Sequence, residues 1–275
     1  MTSTEHASAE RRHLTSVPAR SRNVEVDGYQ FTVHSVASTS TAPELPTFLL
    51  VHGIGASHRY YRRMQSLLAV IGHTISLDLP GFGGTRKPEQ PLSVEEYAIL
   101  LGRLLDQLEV PRVVLVGHSM GGQFVTELAR QRPDAVSHLV LIGPVTDPHR
   151  ATAMKQAMGL TRDSAKEAPS GKLLVLRDYL TCGPRWFFSE LAVMLDYRTD
   201  LVLREVHSPT LVMRGDNDPV SGHAWCESLS AAAPDGHLVE VAGHRHLVHY
   251  TAATEAAKHI EAHVRRHASI TFPAA

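Results

Sequence analysis

Short, continuously apolar runs alternate along the chain with segments whose apolar residues recur every three or four positions. The first kind predicts buried strands, and these runs are Thr47–Val51, Thr74–Leu77, Val113–Val116, His138–Ile142, Thr210–Arg214 and Leu238–Val241. An example of the second kind begins at Ser93, where Ser93 and Glu96 form a capping box ahead of the helix-spaced apolar residues. Continuously apolar strands alternating with helices predict an α/β fold whose mostly parallel sheet is covered on both faces.

The alternation is interrupted in two places. Near the start, Asn23–Val26 and Tyr29–Val36 flank Asp27-Gly28, which predicts a hairpin with a tight turn. The polar segment 1–22 before it is predicted to be a flexible leader, without the apolar stretch of a secretory signal. In segment 144–207 no clear strand is recognisable, so we expect a helical lid inserted into a core formed by 23–143 and 208–275.

Composition narrows the classes of partner. Of 275 residues, 27 are Lys or Arg and 28 are Asp or Glu, giving a formal net charge of −1. A surface that binds nucleic acid or anionic membrane needs a basic excess, so neither partner is expected. The cysteines Cys182 and Cys226 are far apart and outside any C-x-x-C pair, which favours reduced thiols and a cytoplasmic location. Oligomeric state is left open by the sequence.

The chemistry is concentrated at Gly117-His118-Ser119-Met120-Gly121, a G-x-S-x-G pattern between the strand Val113–Val116 and the predicted helix Met120–Gln131. A serine hydroxyl becomes a useful nucleophile when a sharp turn exposes it and a base removes its proton. The glycines on either side of Ser119 have no Cβ, so the chain can turn sharply there. The dipole of the helix would stabilise an oxyanion beside Ser119.

Four segments in the same order give the chain a resemblance to the α/β-hydrolase superfamily from about Asn23 to Arg266. They are His52-Gly53-Ile54-Gly55, Gly117–Gly122, Gly215–Val220 and Ala242-Gly243-His244. The resemblance implies a nucleophile–acid–histidine order along the chain, as in the esterase, lipase and C–C hydrolase branches. It also implies the α/β-hydrolase fold, no cofactor and a small-molecule acyl substrate.

The resemblance assigns Ser119 as nucleophile, and His244, which follows a glycine as in the family pattern, as general base. His246 and His249 are local rivals to His244, and a metal site formed by these three histidines is the weaker alternative. Asp218 is expected to be the acid that orients the histidine. Asp216, which could instead cap the turn, and the more distant Asp147 are its rivals.

Resemblance further places the backbone N–H groups of Ile54 and Met120 in an oxyanion hole. His52 is expected to pack the loop, and the turn after Asp78 to lie near the pocket with Asp78 as a structural anchor. In the predicted lid, Arg185, Trp186 and Phe187 are candidate substrate contacts, although an aromatic run there could equally form the core of the lid.

These residues together predict hydrolysis of a small or medium carboxylic ester, or a thioester, through an acyl-enzyme. A C–C bond hydrolase and a cofactor-free perhydrolase or haloperoxidase-like enzyme are alternatives. The C–C hydrolase hypothesis is less favoured, because such enzymes usually have Gly-Pro-Gly in the oxyanion loop and a tryptophan after the histidine. Here the loop after Ile54 lacks Gly-Pro-Gly, and Arg245 follows His244. An alternative of another class is a small-molecule receptor that has kept the hydrolase fold.

Overall fold

A computed structural model describes residues 19–42, 44–148, 177–178 and 181–267. Within them the chain forms one eight-stranded sheet. The strands are β1 Arg20–Val26, β2 Tyr29–Val36, β3 Thr47–Val51, β4 His73–Asp78, β5 Val113–His118, β6 Val136–Ile142, β7 Thr210–Gly215 and β8 Gly236–Val241. Their spatial order is β1-β2-β4-β3-β5-β6-β7-β8. Strand β2 runs antiparallel to β1 and β4, and every later neighbouring pair is parallel.

The hairpin at the start of the chain has the tight turn that Asp-Gly predicts. Asp27 and Gly28 both have positive φ, at 50° and 84°, as the right-handed twist of a two-residue hairpin requires. The predicted leader 1–22 ends too late, because residues 20–22 already belong to β1 and pair with Val33–Ser35 of β2. Their polar side chains are exposed on an edge strand, so the sequence gives no apolar alternation to mark them. Residues 1–18 of that predicted leader lie outside the described residues.

Helices cover both faces of the sheet. They are α1 Arg62–Leu68, α2 Val94–Gln107, α3 Met120–Gln131, α4 Pro184–Asp196, α5 Thr199–Val202, α6 His223–Ala232, α7 Val248–Thr251 and α8 Ala253–Arg266. Both hydrogen bonds of the predicted capping box are present at the start of α2, from Glu96 N–H to Ser93 Oγ and from Ser93 N–H to the Glu96 carboxylate. Among the described residues, no helix combines the length and apolarity that crossing a membrane demands.

Alternate residues of the parallel strands supply two separate apolar cores. Leu49, Leu115 and Leu141 pack under α2 and α3, whereas Leu50, Val116 and Val140 pack under α1 and α8. Because both faces of the central strands are buried, their sequences are continuously apolar, as predicted. Because β5, β6 and β7 are parallel neighbours, their carboxyl ends lie at the same edge of the sheet, and so do the residues that follow them.

Of the predicted lid, 144–207, residues 149–176 and 179–180 lie outside the described residues. From Pro184 onward the lid segment is mainly helical, with α4 and α5 followed by a 3₁₀ turn at Leu203–Glu205. Helix α4 packs its buried residues, including Leu191 and Met194, into the same apolar core as α2 and α3. The division into core and lid stays a prediction.

A carboxyl group is buried on the inner face of α4. The Glu190 side chain has no exposed surface, and neither of its carboxyl oxygens has a hydrogen-bond partner among the described residues. Burial away from water disfavours the ionised form and raises the pKa of Glu190 to about 8. Glu190 is therefore mostly protonated in the folded protein at neutral pH.

Replacing Glu190 with glutamine is expected to remove a pH dependence of stability. The folded pKa lies above the usual 4.5, so the folded state holds a proton that the unfolded chain loses as the pH rises from about 4.5 to 8. Over that range the wild-type free energy of unfolding should fall by up to ~1.4 kcal/mol per pH unit relative to Glu190→Gln. Urea unfolding at pH 5.5 and 8.0 measures this. The exposed Glu227→Gln is the control, and an equal wild-type–Glu190→Gln difference at both pH values would refute the assignment.

Candidate active site

Ser119 lies in a strained turn between β5 and α3. Its backbone has φ 54° and ψ −125°, a conformation that non-glycine residues rarely adopt. The Ser119 N–H donates to the Ile142 carbonyl at 2.9 Å, and the Gly122 N–H donates to the Ser119 carbonyl at 2.9 Å. The G-x-S-x-G segment thus forms the sharp strand-to-helix turn that the sequence predicts.

The flanking glycines are required by close backbone contacts. A Cβ on Gly121 would lie 2.3 Å from the Val51 carbonyl oxygen, and one on Gly117 would lie 2.5 Å from the Gly121 carbonyl oxygen. Gly53 contributes similarly, since a Cβ there would approach the Cβ of Ser119 to 2.8 Å. These contacts bring the loop after β3 directly against the Ser119 turn.

Gly121→Ala should therefore destabilise the fold, while its neighbour Gly122→Ala serves as a matched control. A Cβ at Gly121 meets backbone atoms that cannot move aside, and we expect a loss of about 3 kcal/mol or more. At Gly122 the nearest atom is 3.6 Å away inside α3, so alanine should leave stability unchanged or raise it by up to about 1 kcal/mol. Thermal and urea unfolding of both variants checks this, and equal losses would contradict it.

A buried carboxylate–imidazole pair lies at the same edge of the sheet. His246 Nδ1 is 2.8 Å from Asp218 Oδ2, and both side chains are almost fully buried. Asp218 Oδ1 accepts the N–H groups of Val220 and Ser221 at 2.8 and 3.0 Å. With both oxygens engaged, the carboxylate holds a fixed orientation and presents Oδ2 to the imidazole, which therefore carries its proton on Nδ1.

Two contacts connect this pair to the serine turn. A Cβ on Gly143, directly after Ile142, would lie 3.1 Å from the His246 ring and 3.4 Å from Asp218 Oδ2. The Ile142 carbonyl is the acceptor of the Ser119 N–H. In addition, His118 Nε2, one residue before Ser119, donates to the His246 backbone carbonyl at 3.1 Å. Ser119, His246 and Asp218 thus gather around the ends of β5, β6 and β7.

The expected histidine, His244, does not reach Asp218. Gly243, with φ 76°, turns the chain after β8, and His244 Nδ1 instead lies 2.9 Å from Thr251 Oγ1. Two residues later the chain turns back and His246 meets the acid. The structure thus pairs Asp218 with His246 and not with the expected His244, so His246 replaces His244 as the candidate base. Flanking residues carry the signal for this, since His246 precedes apolar Leu247-Val248 while His244 stands between Gly243 and Arg245.

The structure also places the other candidates for the acid, Asp216 and Asp147, and for the base, His249. Asp216 Oδ1 accepts from the Gly243 N–H at 2.8 Å and from Asn217 at 2.9 Å, which ties the acid loop to the histidine loop. Asp147 is buried, but the imidazole pairs with Asp218. His249 is buried 4.0 Å from the His118 ring, and burial lowers its pKa to about 3. The alternative that His244, His246 and His249 form a metal site is not supported, because the His244 ring contacts Thr251 and the His246 ring contacts Asp218.

The two predicted oxyanion donors lie on different elements: Ile54 in the loop after β3, and Met120 at the start of α3. Both residues are buried. Because Met120 is the first residue of α3, its N–H has no acceptor within the helix. His52 fixes the loop: its Nε2 accepts the Leu79 N–H at 3.2 Å and its Nδ1 donates to the Gly53 carbonyl at 2.8 Å. Burial lowers the pKa of His52, so the ring stays neutral in this packing role. The oxyanion assignment itself stays a prediction.

The three candidate substrate contacts on α4 differ in position. The Trp186 ring is buried against the loop after β4, where a Cβ on Gly81 would lie 2.5 Å from it. Its centroid lies 6.4 Å from that of Phe82, whose ring in turn stands edge-on to His52. Phe187 packs partly buried on the core, and Arg185 is exposed. Trp186 thus packs against the loop that follows β4.

Comparison with known proteins agrees with the α/β-hydrolase fold. Residues 46–169 match the family described as the alpha/beta hydrolase fold. An uncharacterised Mycobacterium tuberculosis protein is 38% identical over 97 residues, which are 35% of this chain and 28% of that protein. RutD of Pseudomonas syringae, provisionally named as a carbamate hydrolase, is 29% identical over 73% of this chain and 87% of its own length.

Among solved structures, a thermophilic esterase from Thermogutta terrifontis superposes with a TM-score of 0.75. It shares 19% identity, and the superposition covers 90% of this chain and 99% of the esterase, a likeness that shows the fold. The eight-stranded sheet, the serine turn and these matches show that the chain has the α/β-hydrolase fold, as the sequence predicts.

Proposed function

We propose that the protein is a serine hydrolase that cleaves a small or medium carboxylic ester or thioester through an acyl-enzyme. The observation that carries this proposal is the buried Asp218–His246 pair beside the strained Ser119 turn. An imidazole that donates its Nδ1–H to a carboxylate accepts a proton on Nε2, which is the base that a serine nucleophile needs.

The proposed reaction begins when Ser119 Oγ attacks the carbonyl carbon of the substrate and His246 Nε2 takes the hydroxyl proton. Asp218 holds the Nδ1–H and stabilises the imidazolium. The backbone N–H groups of Ile54 and Met120 would hydrogen-bond the tetrahedral oxyanion. As the intermediate collapses, the ester C–O bond breaks and His246 returns the proton to the leaving alcohol. Water, deprotonated by the same imidazole, then releases the acid and regenerates Ser119.

A carbamate is the second candidate substrate class, because RutD matches this chain over most of its own length. Its carbonyl would be attacked in the same way, so the site geometry serves both classes. A C–C bond hydrolase is less favoured, since the loop after Ile54 reads Gly55-Ala56-Ser57 and Leu247 follows His246.

The buried, free thiols of Cys182 and Cys226 support a cytoplasmic location.

The test combines a substrate panel with a covalent trap. We expect the purified protein to hydrolyse p-nitrophenyl esters, with a preferred acyl length that reports the size of the pocket. A fluorophosphonate should abolish the activity and add one adduct, found by peptide mass mapping on Ser119. Phenyl carbamates and thioesters in the same panel distinguish the substrate classes. Absence of both turnover and labelling would instead favour a receptor that kept the fold.

A further inference from the structure

Two histidines and an aspartate that are not part of the Ser119, His246 and Asp218 group converge where β2 and β4 pair. They are His34 on β2, His58 at the start of the 3₁₀ turn His58–Tyr61, and Asp78 at the end of β4. His34 Nε2 lies 3.0 Å and His58 Nδ1 lies 2.9 Å from the same oxygen, Asp78 Oδ2. Among the described residues, this is the group whose His, Cys or carboxylate ligand atoms all lie within 4.8 Å of one another.

We propose that His34, His58 and Asp78 form a binding site for a first-row divalent transition-metal ion. Two imidazole nitrogens and one carboxylate oxygen are a donor set that such ions use, with the remaining coordination positions open to water. Nothing in the proposed hydrolytic reaction uses these three residues, so this site does not depend on that proposal.

The distances between donor atoms suit such an ion. Bonds of about 2.1 Å to nitrogen and oxygen, meeting at right angles, set two donor atoms about 3.0 Å apart. The two nitrogen–oxygen separations, 3.0 and 2.9 Å, have this value. These two separations match the near-90° angles of five- or six-coordinate ions, and a tetrahedral ion would need them to open by a few tenths of an ångström.

The two carboxylate oxygens of Asp78 have different partners. Asp78 Oδ1 accepts the His58 backbone N–H at 2.8 Å and lies 3.0 Å from His58 Nδ1, whereas Oδ2 is the oxygen that lies near both rings and would bind the ion. Behind the first ring, His34 Nδ1 lies 2.7 Å from Ser21 Oγ. When a metal occupies Nε2, the proton of neutral His34 moves to Nδ1 and is donated to this hydroxyl, an outer contact that typically fixes a ligating imidazole.

The two imidazole rings are stacked, with centroids 3.5 Å apart and planes 20° from parallel. Nearly parallel rings direct their in-plane lone pairs side by side, so binding one ion requires the rings to splay apart, and His58, the more exposed of the two, is the ring that would rotate. The His58 side chain is 17% exposed, whereas those of His34 and Asp78 are 10% and 3% exposed. An ion would therefore enter from the His58 side, where water could complete its coordination.

Metal at this site would join two segments that border the predicted oxyanion loop. His58 follows that loop directly, and Asp78 precedes Leu79, whose N–H donates to His52. We therefore expect the ion to act as a structural clamp, raising stability without taking part in bond cleavage. Its contribution grows with the concentration of free ion relative to the dissociation constant.

The experiment is a titration of chelator-treated, dialysed full-length protein with Zn²⁺ by calorimetry and with Co²⁺ by visible absorption. We expect saturable binding of one equivalent, a cobalt spectrum of a site with nitrogen ligands, and a rise of several degrees in Tm. His58→Gln, chosen because this ring is the most exposed of the three ligands, should weaken binding at least a hundredfold and abolish the rise in Tm.

His207→Gln, an exposed histidine, is the matched control and should bind as the wild type does. Circular dichroism establishes that each variant is folded, and Ser21→Ala, which removes only the outer contact, provides a milder second variant with an expected tenfold or greater loss of affinity. Failure of the wild type to bind one equivalent, or unchanged affinity in folded His58→Gln, would overturn the proposal.

Discussion

Replacing His246 with alanine is expected to lower kcat for ester hydrolysis by about 10⁶-fold, the scale seen when a member of a serine triad is removed. Without the imidazole nothing takes the Ser119 proton or returns it to the leaving alcohol. The loss should appear in kcat and not in KM, because His246 acts in proton transfer and not in ground-state binding. Steady-state kinetics on the best p-nitrophenyl ester, with stability monitored in parallel, measures it.

His244→Ala provides the matched control, since it removes an imidazole from the same loop two residues away. His244 contacts Thr251 and not Asp218, so its replacement should change kcat by less than about tenfold, far from the loss of a triad member. The reverse ranking of the two variants would restore the assignment that the Gly-His pattern predicts. Losses of equal size would mean that the loop, and not one ring, is what matters.

Ser119→Ala should also lose about 10⁶-fold in kcat and should no longer react with a fluorophosphonate. The side chain lost is small and lies in a turn determined by Gly117 and Gly121, so folding should be preserved. Ester binding, followed by competition with a slowly hydrolysed substrate, should persist because the pocket is unchanged. Activity at the wild-type level in this variant would rule out the proposed serine chemistry.

Much of the fold could be predicted from local signals. The Ser93–Glu96 capping box and the Asp27-Gly28 hairpin turn are set by neighbours within a few residues, and both form as expected. Continuously apolar strands likewise locate the buried sheet. The polar edge strand β1 was different, because residues 20–22 gain their structure from pairing with β2 and not from any pattern of their own.

The site shows the same division between local and long-range information. The sharp turn at Ser119 depends on the glycines beside it, so the sequence alone predicts both the turn and Ser119 as the candidate nucleophile. Which histidine reaches Asp218 depends on how Gly243 turns the chain after β8, and the spacing of the motif does not determine that turn. The cluster of His34, His58 and Asp78 is harder still, since three separate elements meet there only once the sheet has formed.

The central claim is that Ser119 and His246 act as one catalytic unit, and a double-mutant cycle tests it most directly. Kinetics of Ser119→Ala, His246→Ala and the combined variant would be measured on the same ester. Residues that work as a unit show strongly non-additive losses, so the combined variant is predicted to be about as slow as either single variant. Losses that multiply, with the combined variant far slower than both, would mean that the two residues act independently and would contradict the account.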